Sequence, residues 1–504
     1  MKTFPIEKSG IMQRARVASS AWSSHALGTR IEKLAILRRL IVSRREEILA
    51  AVAQDAVKVR TEALVTDLLP TLEILKFNEK QAARTLAAER RPGSLLFAGS
   101  RAEVLRQPYG AVLIVAPWNN PFQLSMLPAA TALLAGNAVI VKPSERTPKV
   151  SALLRDLFAE AGFMLSLLEI VEGGPETAAE LMAAGPDLVF FTGGEYGGKA
   201  IYRLAAERMI PAVMELGGKD AMIVFADADL GRAAQAALYG AFAHDGQHCI
   251  SVKRLLVENP AYEAFVSDLA TGAARLRRGN GTVGDLAAGI DPETARRLQE
   301  QIDDAMGRGA RLLTPIRKGK ALFPAILSEV PAAAAVMREE SFGPLLAVVP
   351  FDSEEEAARL ANDCDFGLNA SLWTADRERA RRLAARLATG CVGINEVLVN
   401  AGHPALPFGG AKASGFGRYH GPEGLRIFTR PKAVLECRHP WAGGLQWFPY
   451  DPDLGSLIEE LIRLRFGKRE SWAAHLGSWL KVAIQGAKRL RRLSENRHLQ
   501  GGKT

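Results

Sequence analysis

GAVLIVAPWN, residues 110–119, is a short continuous apolar run that ends in polar residues, as a strand buried on both faces of a sheet does. A helical stretch rich in Ala and Leu (Met126 to Leu134) follows, and then a second apolar run, NAVIVKPSE, at 137–145. Further apolar runs, several separated by helical stretches, are LEIVEGG (168–174), DLVFFTGG (187–194) and AVMELGGKDAMIVF (212–225). This alternation predicts a parallel, doubly wound α/β sheet, which binds ligands at the carboxyl ends of its strands.

The pattern extends to both sides of this region. Residues 28–90 carry apolar side chains at helical spacing, such as Ile31, Leu34 and Leu37, and predict a run of amphipathic helices. A strand is predicted from Ala102 to Arg106. A second α/β series after Cys249 includes residues 296–313, 343–351, 369–375 and 389–397. With 504 residues, the chain is expected to form two main domains.

Composition indicates an ordinary globular protein, because 48% of the residues are hydrophobic and 24% are charged. The first 20 residues lack the apolar block of a secretory signal, so we expect a cytoplasmic protein. The four cysteines show no CxxC spacing and no Cys/His cluster, so neither a disulfide framework nor a metal site is expected. Of the net charge of +9, +6 lies in residues 437–504.

Polar residues at the ends of predicted strands are candidates for chemistry. An Asn of PWNNPF (117–122) could donate a side-chain N–H to a developing oxyanion, or it could make only local turn contacts. Lys142 and Glu145 could hydrogen-bond ribose hydroxyls, or they could form a solvated ion pair. In FFTGGEYGGK (190–199), backbone N–H groups at a helix start could hold a pyrophosphate, although the segment does not match GxGxxG.

Two further residues could take part directly in a reaction. Glu215 ends a predicted strand and could serve as a general base, although most single Glu residues are surface charges. Cys249, in GQHC (246–249), could be a nucleophile, a metal ligand or buried apolar packing. His248 precedes it and could tune its thiolate. The residues alone leave these alternatives open.

The order and approximate spacing of PWNNPF, VKPSE, FTGG, ELGGK and GQHC resemble those of the aldehyde dehydrogenase superfamily, over about residues 20–435. EESFGP (339–344) and FGLNASLWT (366–374) match further family blocks. INEVLVN (394–400) and LPFGGAKASGFGRYHG (406–421) look most like the class 3 branch and its bacterial relatives, which act on apolar aromatic, long-chain or polyene aldehydes. The resemblance implies an aldehyde dehydrogenase-like α/β fold, with a Rossmann-type NAD-binding domain, a catalytic domain and a β oligomerisation arm.

The resemblance also implies catalytic roles. Cys249 matches the nucleophile that attacks the aldehyde and carries a thiohemiacetal and then a thioester. Asn119 matches the oxyanion donor, acting with the backbone N–H of Cys249. Glu215 matches the base that activates water for hydrolysis of the thioester, and Phe408 matches an aromatic residue near the substrate and the nicotinamide.

NAD is the implied cofactor, with NADP as an alternative. Lys142 and Glu145 match the residues that hold the adenosine ribose, and Glu340 and Phe342 match those that place the nicotinamide. The other implied cofactor contacts are Trp118, Ser144, Thr192, Gly193, Gly194 and Leu216. Gly194-Glu195 replaces the family's usual Ser-Thr, so backbone contacts must suffice there. The carboxylate of Glu145 favours NAD, because it would repel a 2′-phosphate.

The domains expected from the resemblance are an NAD-binding domain at 1–217, with an oligomerisation hairpin near 93–108, and a catalytic domain at 218–424. An oligomerisation strand is expected at 425–436, followed by a basic amphipathic tail at 437–504. A homodimer or a homotetramer is the expected assembly.

The tail segment SWAAHLGSWLKVAIQGAKRLRRL, residues 471–493, has an amphipathic helical pattern. Its predicted apolar face consists of Trp472, Leu476, Trp479, Leu480, Ala483, Ala487 and Leu490, and its basic residues lie mostly off that face. The helix could lie in a membrane interface, or it could pack over the catalytic domain or a partner subunit. No apolar run reaches the ~18 residues of a spanning helix. Nucleic-acid binding is not expected, since no recognised fold accompanies the charge.

The function expected is NAD(P)+-dependent oxidation of an apolar aldehyde to a carboxylic acid. One alternative is a CoA-acylating aldehyde dehydrogenase, which the presence of the hydrolytic base Glu215 disfavours. Another is a non-catalytic membrane-surface binding protein that retains the fold. The presence of Cys249, Glu215 and Asn119 together argues against that loss of catalysis.

Overall fold

The computed structural model describes residues 10–93, 97, 100–279, 284–287, 289–313, 324–437, 447–448, 450, 452–468 and 472–500, without the side chains of 472–475 and 493–500. The chain forms two compact units. The first consists of Met1–Ala87 and Leu105–Lys432, and the second of Ala88–Val104 and Ala433–Thr504.

Five α-helices come first along the described residues, and helices and strands then alternate over most of residues 111–394. The helices are α1 (Ile11–Ser24), α2 (Leu27–Ser43), α3 (Arg45–Ala56), α4 (Arg60–Ala63), α5 (Leu69–Thr85), α6 (Pro121–Leu134), α7 (Pro148–Glu160), α8 (Pro175–Ala183), α9 (Glu195–Glu207), α10 (Leu230–Phe242), α11 (Asn259–Arg275), α12 (Pro292–Gly307), α13 (Ala335–Arg338), α14 (Glu354–Asn362), α15 (Arg377–Arg386), α16 (Gly421–Arg426), α17 (Pro452–Phe466) and α18 (Trp472–Gln500). The strands are β1 (Glu89–Arg91), β2 (Ser100–Pro108), β3 (Ala111–Val115), β4 (Ala138–Lys142), β5 (Leu168–Ile170), β6 (Leu188–Thr192), β7 (Ala212–Glu215), β8 (Asp220–Val224), β9 (Val252–Glu258), β10 (Arg311–Leu312), β11 (Ala325–Ser328), β12 (Leu345–Phe351), β13 (Phe366–Gly367), β14 (Asn369–Trp373), β15 (Cys391–Ile394), β16 (Ala411–Lys412), β17 (Gly415–Phe416) and β18 (Thr429–Cys437).

The first sheet has the strand order β17-β7-β6-β3-β4-β5. Strands β3 to β7 pair in parallel, and β17 pairs antiparallel with β7. Every residue of β3 and β4 is buried, because helices such as α1 and α6 pack on these strands. The predicted parallel, doubly wound arrangement is confirmed, and the carboxyl ends of β3, β4, β6 and β7 lie along one edge.

The second sheet has the strand order β10-β11-β12-β9-β8-β14-β15 and is parallel except for β10. The chain passes from the first sheet to the second between Glu215, the last residue of β7, and Asp220, the first residue of β8. It returns to the first sheet through β17, because Gly415 is paired with Glu215. The strand that carries Glu215 is therefore completed by a segment from much later in the chain.

A third sheet has the order β1-β2-β18, with β1 antiparallel to β2. The predicted strand Ala102 to Arg106 lies within β2. Residues 94–96 and 98–99 of the expected hairpin near 93–108 are outside the described residues. The expected strand at 425–436 overlaps the end of α16 and most of β18.

Helices α17 and α18 pack against each other in the second unit. Leu457, Leu464 and Val482 form a small buried cluster, with Leu461 and Trp479 packed against it. Across the described residues, no helix is long and apolar enough to cross a membrane.

The buried face of α18 differs from the predicted apolar face. Trp479 and Val482 contact α17, whereas the side chains of Leu476 and Leu480 are 56% and 62% exposed. A helix turns by about 100° per residue, so a wide apolar stripe can divide between a packed side and an open side. The sequence pattern did not show where this division falls, and Trp472 lies outside the described side chains.

Candidate active site

The candidate catalytic residues stand at the ends of strands or just before them. Asn119 follows β3 and precedes α6, and Glu215 is the last residue of β7. Cys249 lies between a 3₁₀ turn, Ala243–Gly246, and β9. The two sheets therefore supply different parts of one site, since β7 belongs to the first and β9 to the second.

The turn before Cys249 has an unusual backbone. His244, Asp245 and Gly246 have φ values of 52°, 52° and 68°, all in the left-handed region that is costly for residues other than glycine. At Gly246, a Cβ would also lie 2.4 Å from the carbonyl oxygen of Gly343. Only glycine fits there.

Charged groups that are buried or mostly buried hold this turn. Nη1 of Arg278 lies 2.8 Å from Oδ1 of Asp245, and Nζ of Lys253 donates to the carbonyl oxygens of Gly246 and Gly343 at 2.9 and 2.6 Å. Burial raises the pKa of Asp245 to about 6 and lowers the pKa of Lys253 to about 7. These contacts offset the backbone strain and fix the start of the cysteine segment.

Asn119 is buried and contacts the cysteine segment directly. Its Nδ2 donates to the carbonyl oxygen of Gln247 at 2.9 Å. A primary amide carries two N–H bonds, so this contact leaves one N–H of Asn119 for another acceptor.

The carboxyl group of Glu215 is buried and without a hydrogen-bond partner among the described residues. Burial raises its pKa well above the ordinary value, and the positive charge of Arg418 offsets this only in part. Two hydrogen bonds fix the backbone at Glu215. The N–H of Gly193 donates to the carbonyl oxygen of Glu215, and the N–H of the next residue, Leu216, donates to the carbonyl oxygen of Ser414.

Cys249 and Glu215 line the same cavity, which has a volume of about 530 Å³. Thr192, Leu216 and Phe408 line it as well. Much of the remaining wall is apolar and consists of Val65, Leu69, Pro70, Leu124, Ile250, Leu398, Val399, Ala401 and Pro404. Burial raises the pKa of the Cys249 thiol, with the carboxylates of Asp220 and Glu215 adding to the effect. The cavity can hold an apolar ligand beside a thiol and a carboxyl group.

The residues matched to the adenosine ribose lie at the end of β4. Nζ of Lys142 is 3.1 Å from Oε2 of Glu145, and the lysine side chain is nearly buried. Ser144 is buried, and its Oγ accepts from the backbone N–H of Arg146 at 3.2 Å. The guanidinium of Arg146 lies over the ring of Trp118, 3.9 Å from its centroid.

Glycines stand at one further expected cofactor contact, Gly194, and beside another, Glu340. Gly194 immediately precedes α9, and no side chain of the described residues caps that helix start. A Cβ at Gly217 would lie 2.1 Å from Oε1 of Glu340. Burial raises the pKa of Glu340, and Phe342 packs edge-on against Trp118 with ring centroids 5.9 Å apart.

The chain matches the model of the aldehyde dehydrogenase family over residues 7–434. It belongs to that family. It is 44% identical over 453 residues to 4,4'-diapolycopene aldehyde oxidase of a Methylomonas species, covering 89% of this chain and 86% of the relative. It is 32% identical to 4,4'-diaponeurosporen-aldehyde dehydrogenase of Staphylococcus aureus, covering 84% of this chain and 92% of the relative.

The structures of known aldehyde dehydrogenases agree with this assignment. A point mutant of betaine aldehyde dehydrogenase from Staphylococcus aureus, solved in complex with NAD+, superimposes with a TM-score of 0.81. That match has 29% sequence identity and covers 88% of this chain and 92% of the compared chain. The chain is an oxidoreductase that acts on aldehydes, and the predicted family and fold are confirmed.

In this aldehyde dehydrogenase family member, the structure brings five of the predicted site residues to one cavity. They are Cys249, Glu215, Thr192, Leu216 and Phe408. Asn119 lies beside the cavity through its contact with Gln247. The other expected cofactor residues do not line this cavity. They are Trp118, Lys142, Ser144, Glu145, Gly193, Gly194, Glu340 and Phe342.

Sequence reasoning missed a buried polar group next to the site. Lys58 and Asp67 form an ion pair at 2.7 Å with both side chains inaccessible to solvent. Oδ1 of Asp67 accepts from the backbone N–H groups of Phe122 and Gln123, at the start of α6. Both charged residues lie in a helical region with charged residues throughout, so no spacing distinguished them from surface residues.

Proposed function

We propose that this chain oxidises an apolar aldehyde to the carboxylic acid with NAD+ and that Cys249 is the nucleophile. One observation carries the proposal. Cys249 and Glu215, whose carboxyl group has no hydrogen-bond partner among the described residues, line one largely apolar cavity of about 530 Å³. The named substrates of the two polyene-aldehyde relatives favour a long apolar substrate.

The chemistry begins at the sulfur of Cys249, which bonds to the aldehyde carbon while the thiol proton passes to the former carbonyl oxygen. The side-chain N–H of Asn119 and the backbone N–H of Cys249 stabilise the negative charge that develops on that oxygen before the proton reaches it. Bound NAD+ supplies the acceptor for a hydride from the substrate carbon. Transfer of the hydride, with release of the hydroxyl proton to solvent, leaves a thioester on Cys249.

Glu215 completes the reaction in its deprotonated form. It takes a proton from water as the water oxygen adds to the thioester carbon. The bond between that carbon and the sulfur of Cys249 then breaks, and the acid is released. The proton passes from Glu215 to the sulfur, which restores the thiol of Cys249 and the carboxylate of Glu215.

The residues expected to hold NAD+ fit a dinucleotide. The uncapped start of α9 after Gly194 suits a pyrophosphate, since backbone N–H groups there lack side-chain partners among the described residues. Lys142 and Glu145 suit the hydroxyls of a ribose. A Cβ at Gly217 would fill the space beside Glu340, so the glycine keeps that carboxyl group accessible to a second ribose. The carboxylate of Glu145 favours NAD over NADP.

The test measures NADH or NADPH formation by the purified protein with aromatic, medium-chain, long-chain and polyene aldehydes. We expect NADH formation, highest with the long apolar substrates, and none with the Cys249→Ala variant. Product analysis with CoA present separates a free acid from an acyl-CoA, which is the product of the alternative acylating reaction. Full activity of Cys249→Ala, or no activity of the wild type with any aldehyde, contradicts the proposal.

We further infer that the tail contacts an anionic lipid surface. Ile458, Ile462 and Phe466 recur at every fourth residue of α17 and are 37%, 53% and 72% exposed. Leu476, Leu480 and Ile484 repeat the spacing on α18, and each is about half exposed or more. Exposed apolar stripes on two helices, of which α18 carries six Lys and Arg residues against one Glu, fit the boundary of an anionic bilayer.

Co-sedimentation with vesicles tests the lipid contact. We expect the full chain to bind vesicles that contain phosphatidylserine and to bind pure phosphatidylcholine weakly, and we expect Leu480→Glu to weaken the binding. The matched control is Gln485→Glu, which adds the same charge at another exposed position of α18. Equal binding by Leu480→Glu and Gln485→Glu contradicts the contact, and it favours the alternative in which the stripe packs on protein.

We also propose that the chain assembles into a homodimer or a homotetramer through β2 and β18. The exposure of most of β18 supports this, because an exposed edge or face of a sheet can pair with another copy. Light scattering coupled to gel filtration gives the mass. A monomer at all concentrations contradicts the proposal.

We propose a cytoplasmic location. Its support is that Cys249, Cys364, Cys391 and Cys437, all of which are described residues, are free thiols. Fractionation of cells followed by immunoblotting tests the location, and recovery from the periplasm or medium contradicts it.

A further inference from the structure

A chain of buried polar groups leads from Lys58 to the residue before Cys249. The ammonium of Lys58 donates to Oδ2 of Asp67 at 2.7 Å, to Oγ1 of Thr66 at 2.9 Å and to Oδ1 of Asn120. An ammonium has three donors and no acceptor, so these contacts use all of them. They also decide the orientation of the Asn120 amide, since only its oxygen can face Lys58.

The orientation of Asn120 decides the protonation of His248. With its oxygen toward Lys58, the Asn120 side chain presents Nδ2 to Nδ1 of His248 at 3.3 Å. An amide nitrogen donates, so Nδ1 of His248 must accept and carries no proton. The hydrogen of the neutral ring is then on Nε2, which lies 3.7 Å from Oε1 of Glu62.

The groups around His248 favour the neutral ring. Burial lowers its pKa, and the nearby ammonium of Lys58 adds to that effect, whereas Glu62 and Asp67 act in the opposite direction. The ring of His244, 5.4 Å away between centroids, is also kept neutral, because burial lowers its pKa well below the ordinary value. An imidazole has an ordinary pKa of about 6.5, so a lowered pKa leaves the ring mostly uncharged at neutral pH, and His248 places no positive charge beside the thiol.

The position of His248 suggests its role. Two successive asparagines contact two successive residues before the nucleophile: Asn119 donates to Gln247, and Asn120 donates to His248. The hydrogen bond from Asn120 to His248 therefore supports the hydrogen bond from Asn119 to Gln247. The Asn119 hydrogen bond in turn sets the distance between the proposed oxyanion donor and Cys249. His248 also lines the substrate cavity.

We infer that His248 is a positioning residue, which acts as a neutral hydrogen-bond acceptor for Asn120 and thereby holds the Asn119 amide in place relative to Cys249. This inference rests on the proposed roles of Cys249 and Asn119. It opposes the alternative in which His248 is an imidazolium that lowers the thiol pKa.

The first test compares His248→Leu, which removes the acceptor, with His248→Asn, whose side-chain oxygen can replace Nδ1. Small displacements of catalytic groups cost up to about 100-fold in rate, so we expect kcat of His248→Leu to fall by about 10- to 100-fold. We expect KM for NAD+ to stay within about twofold and His248→Asn to recover most of kcat. The matched control is His25→Leu, because His25 is exposed at the end of α1 and should not affect kcat.

The second test measures the rate of iodoacetamide alkylation of Cys249 against pH, which needs neither substrate nor cofactor. We expect the midpoint of this profile to be the same in the wild type and in both His248 variants. A midpoint that rises by a pH unit or more in His248→Leu overturns the inference, because the ring would then stabilise the thiolate by its charge.

An unchanged kcat in His248→Leu, or no recovery in His248→Asn, also overturns the inference. If a His248 variant does not fold, Asn120→Leu removes the same hydrogen bond from the other side, together with the acceptor for Lys58, and should lower kcat at least as much. If the wild type oxidises no aldehyde, the proposed function fails, and the alkylation profiles alone then decide the inference about His248.

Discussion

Glu215 and Cys249 face one cavity although they belong to different sheets, since Glu215 ends β7 and Cys249 precedes β9. The chain passes between the two sheets only four residues after Glu215, through Leu216, Gly217, Gly218 and Lys219. A Cβ at Gly218 would lie 2.4 Å from the carbonyl oxygen of Cys249, so this crossing runs against the cysteine segment. The proposed base and the proposed nucleophile are thus fixed by one short connection.

Replacing Glu215 by Gln should stop the reaction at the thioester. General bases contribute about 10²- to 10⁴-fold, so we expect a steady-state rate at least about 100-fold lower with a retained burst of NADH. Stopped-flow absorbance measures the burst, which should approach one equivalent per site. The matched control is Glu207→Gln at an exposed position on α9, and loss of the burst in Glu215→Gln would contradict the assigned step.

The raised pKa of Glu215 also predicts a stability effect. A carboxyl group whose pKa is higher in the folded than in the unfolded protein favours folding less as pH rises above the unfolded value. At neutral pH the folded protein therefore bears the cost of a buried acid, which the neutral amide of Glu215→Gln does not have. We expect this variant to have a higher Tm than the wild type at pH 8 and a smaller difference in Tm at pH 4. A lower Tm of the variant at pH 8 would contradict the prediction.

The pair Asp245 and Arg278 predicts how activity depends on pH. As pH falls through about 6, Asp245 takes up a proton and its ion pair with Arg278 weakens. We expect kcat to fall below that pH as the left-handed turn before Cys249 loses support. Asp245→Asn should have a lower kcat that no longer changes with a midpoint near 6, and an unaltered pH profile of kcat in this variant would contradict the assignment.

The ion pair of Lys58 and Asp67 should contribute strongly to stability. Removal of one partner of a buried pair leaves an uncompensated charge, so we expect Lys58→Met to lower the free energy of unfolding by about 3–5 kcal/mol. Urea denaturation measures the change. Arg338→Met is the matched control, because its pair with Asp363 is about half exposed and should contribute about 0–1 kcal/mol. Equal effects of the two variants would contradict the prediction.

Filling the cavity should change substrate preference. Leu124 is buried in the cavity wall, and Leu124→Trp would place an indole in the space available to the substrate. We expect kcat/KM for long-chain aldehydes to fall by about tenfold or more while kcat/KM for acetaldehyde changes little. Leu165→Trp, at an exposed position outside the cavity, is the control. Equal losses for long and short aldehydes would contradict the predicted cavity.

The sequence predicted the parallel strands well, because apolar runs such as Ala111–Val115 and Ala138–Lys142 are buried on both faces and have an unmistakable composition. It also selected Cys249, Glu215 and Phe408, which the structure places in one cavity. These residues stand in short segments of polar or glycine-rich sequence, where the family motifs are strongest.

The supporting residues could not be predicted in the same way. Lys58 and Asn120 meet only because the region before α5 packs against the start of α6, and no local pattern reports such a contact. The pairing of Gly415 with Glu215 joins residues 200 positions apart and is equally invisible to local spacing. The burial of Val482 depends on α17, which the amphipathic pattern of α18 alone does not include.

The late return of the chain to the first sheet has a consequence for biosynthesis. Until residues 414–416 leave the ribosome, β7 lacks its partner β17 and the backbone of Leu216 lacks the acceptor oxygen of Ser414. An unpaired strand edge is prone to aggregation, so a nascent chain of up to about 400 residues must be protected at β7. Glu215 therefore reaches its final position only near the end of translation of the family core, after Cys249 has already been synthesised.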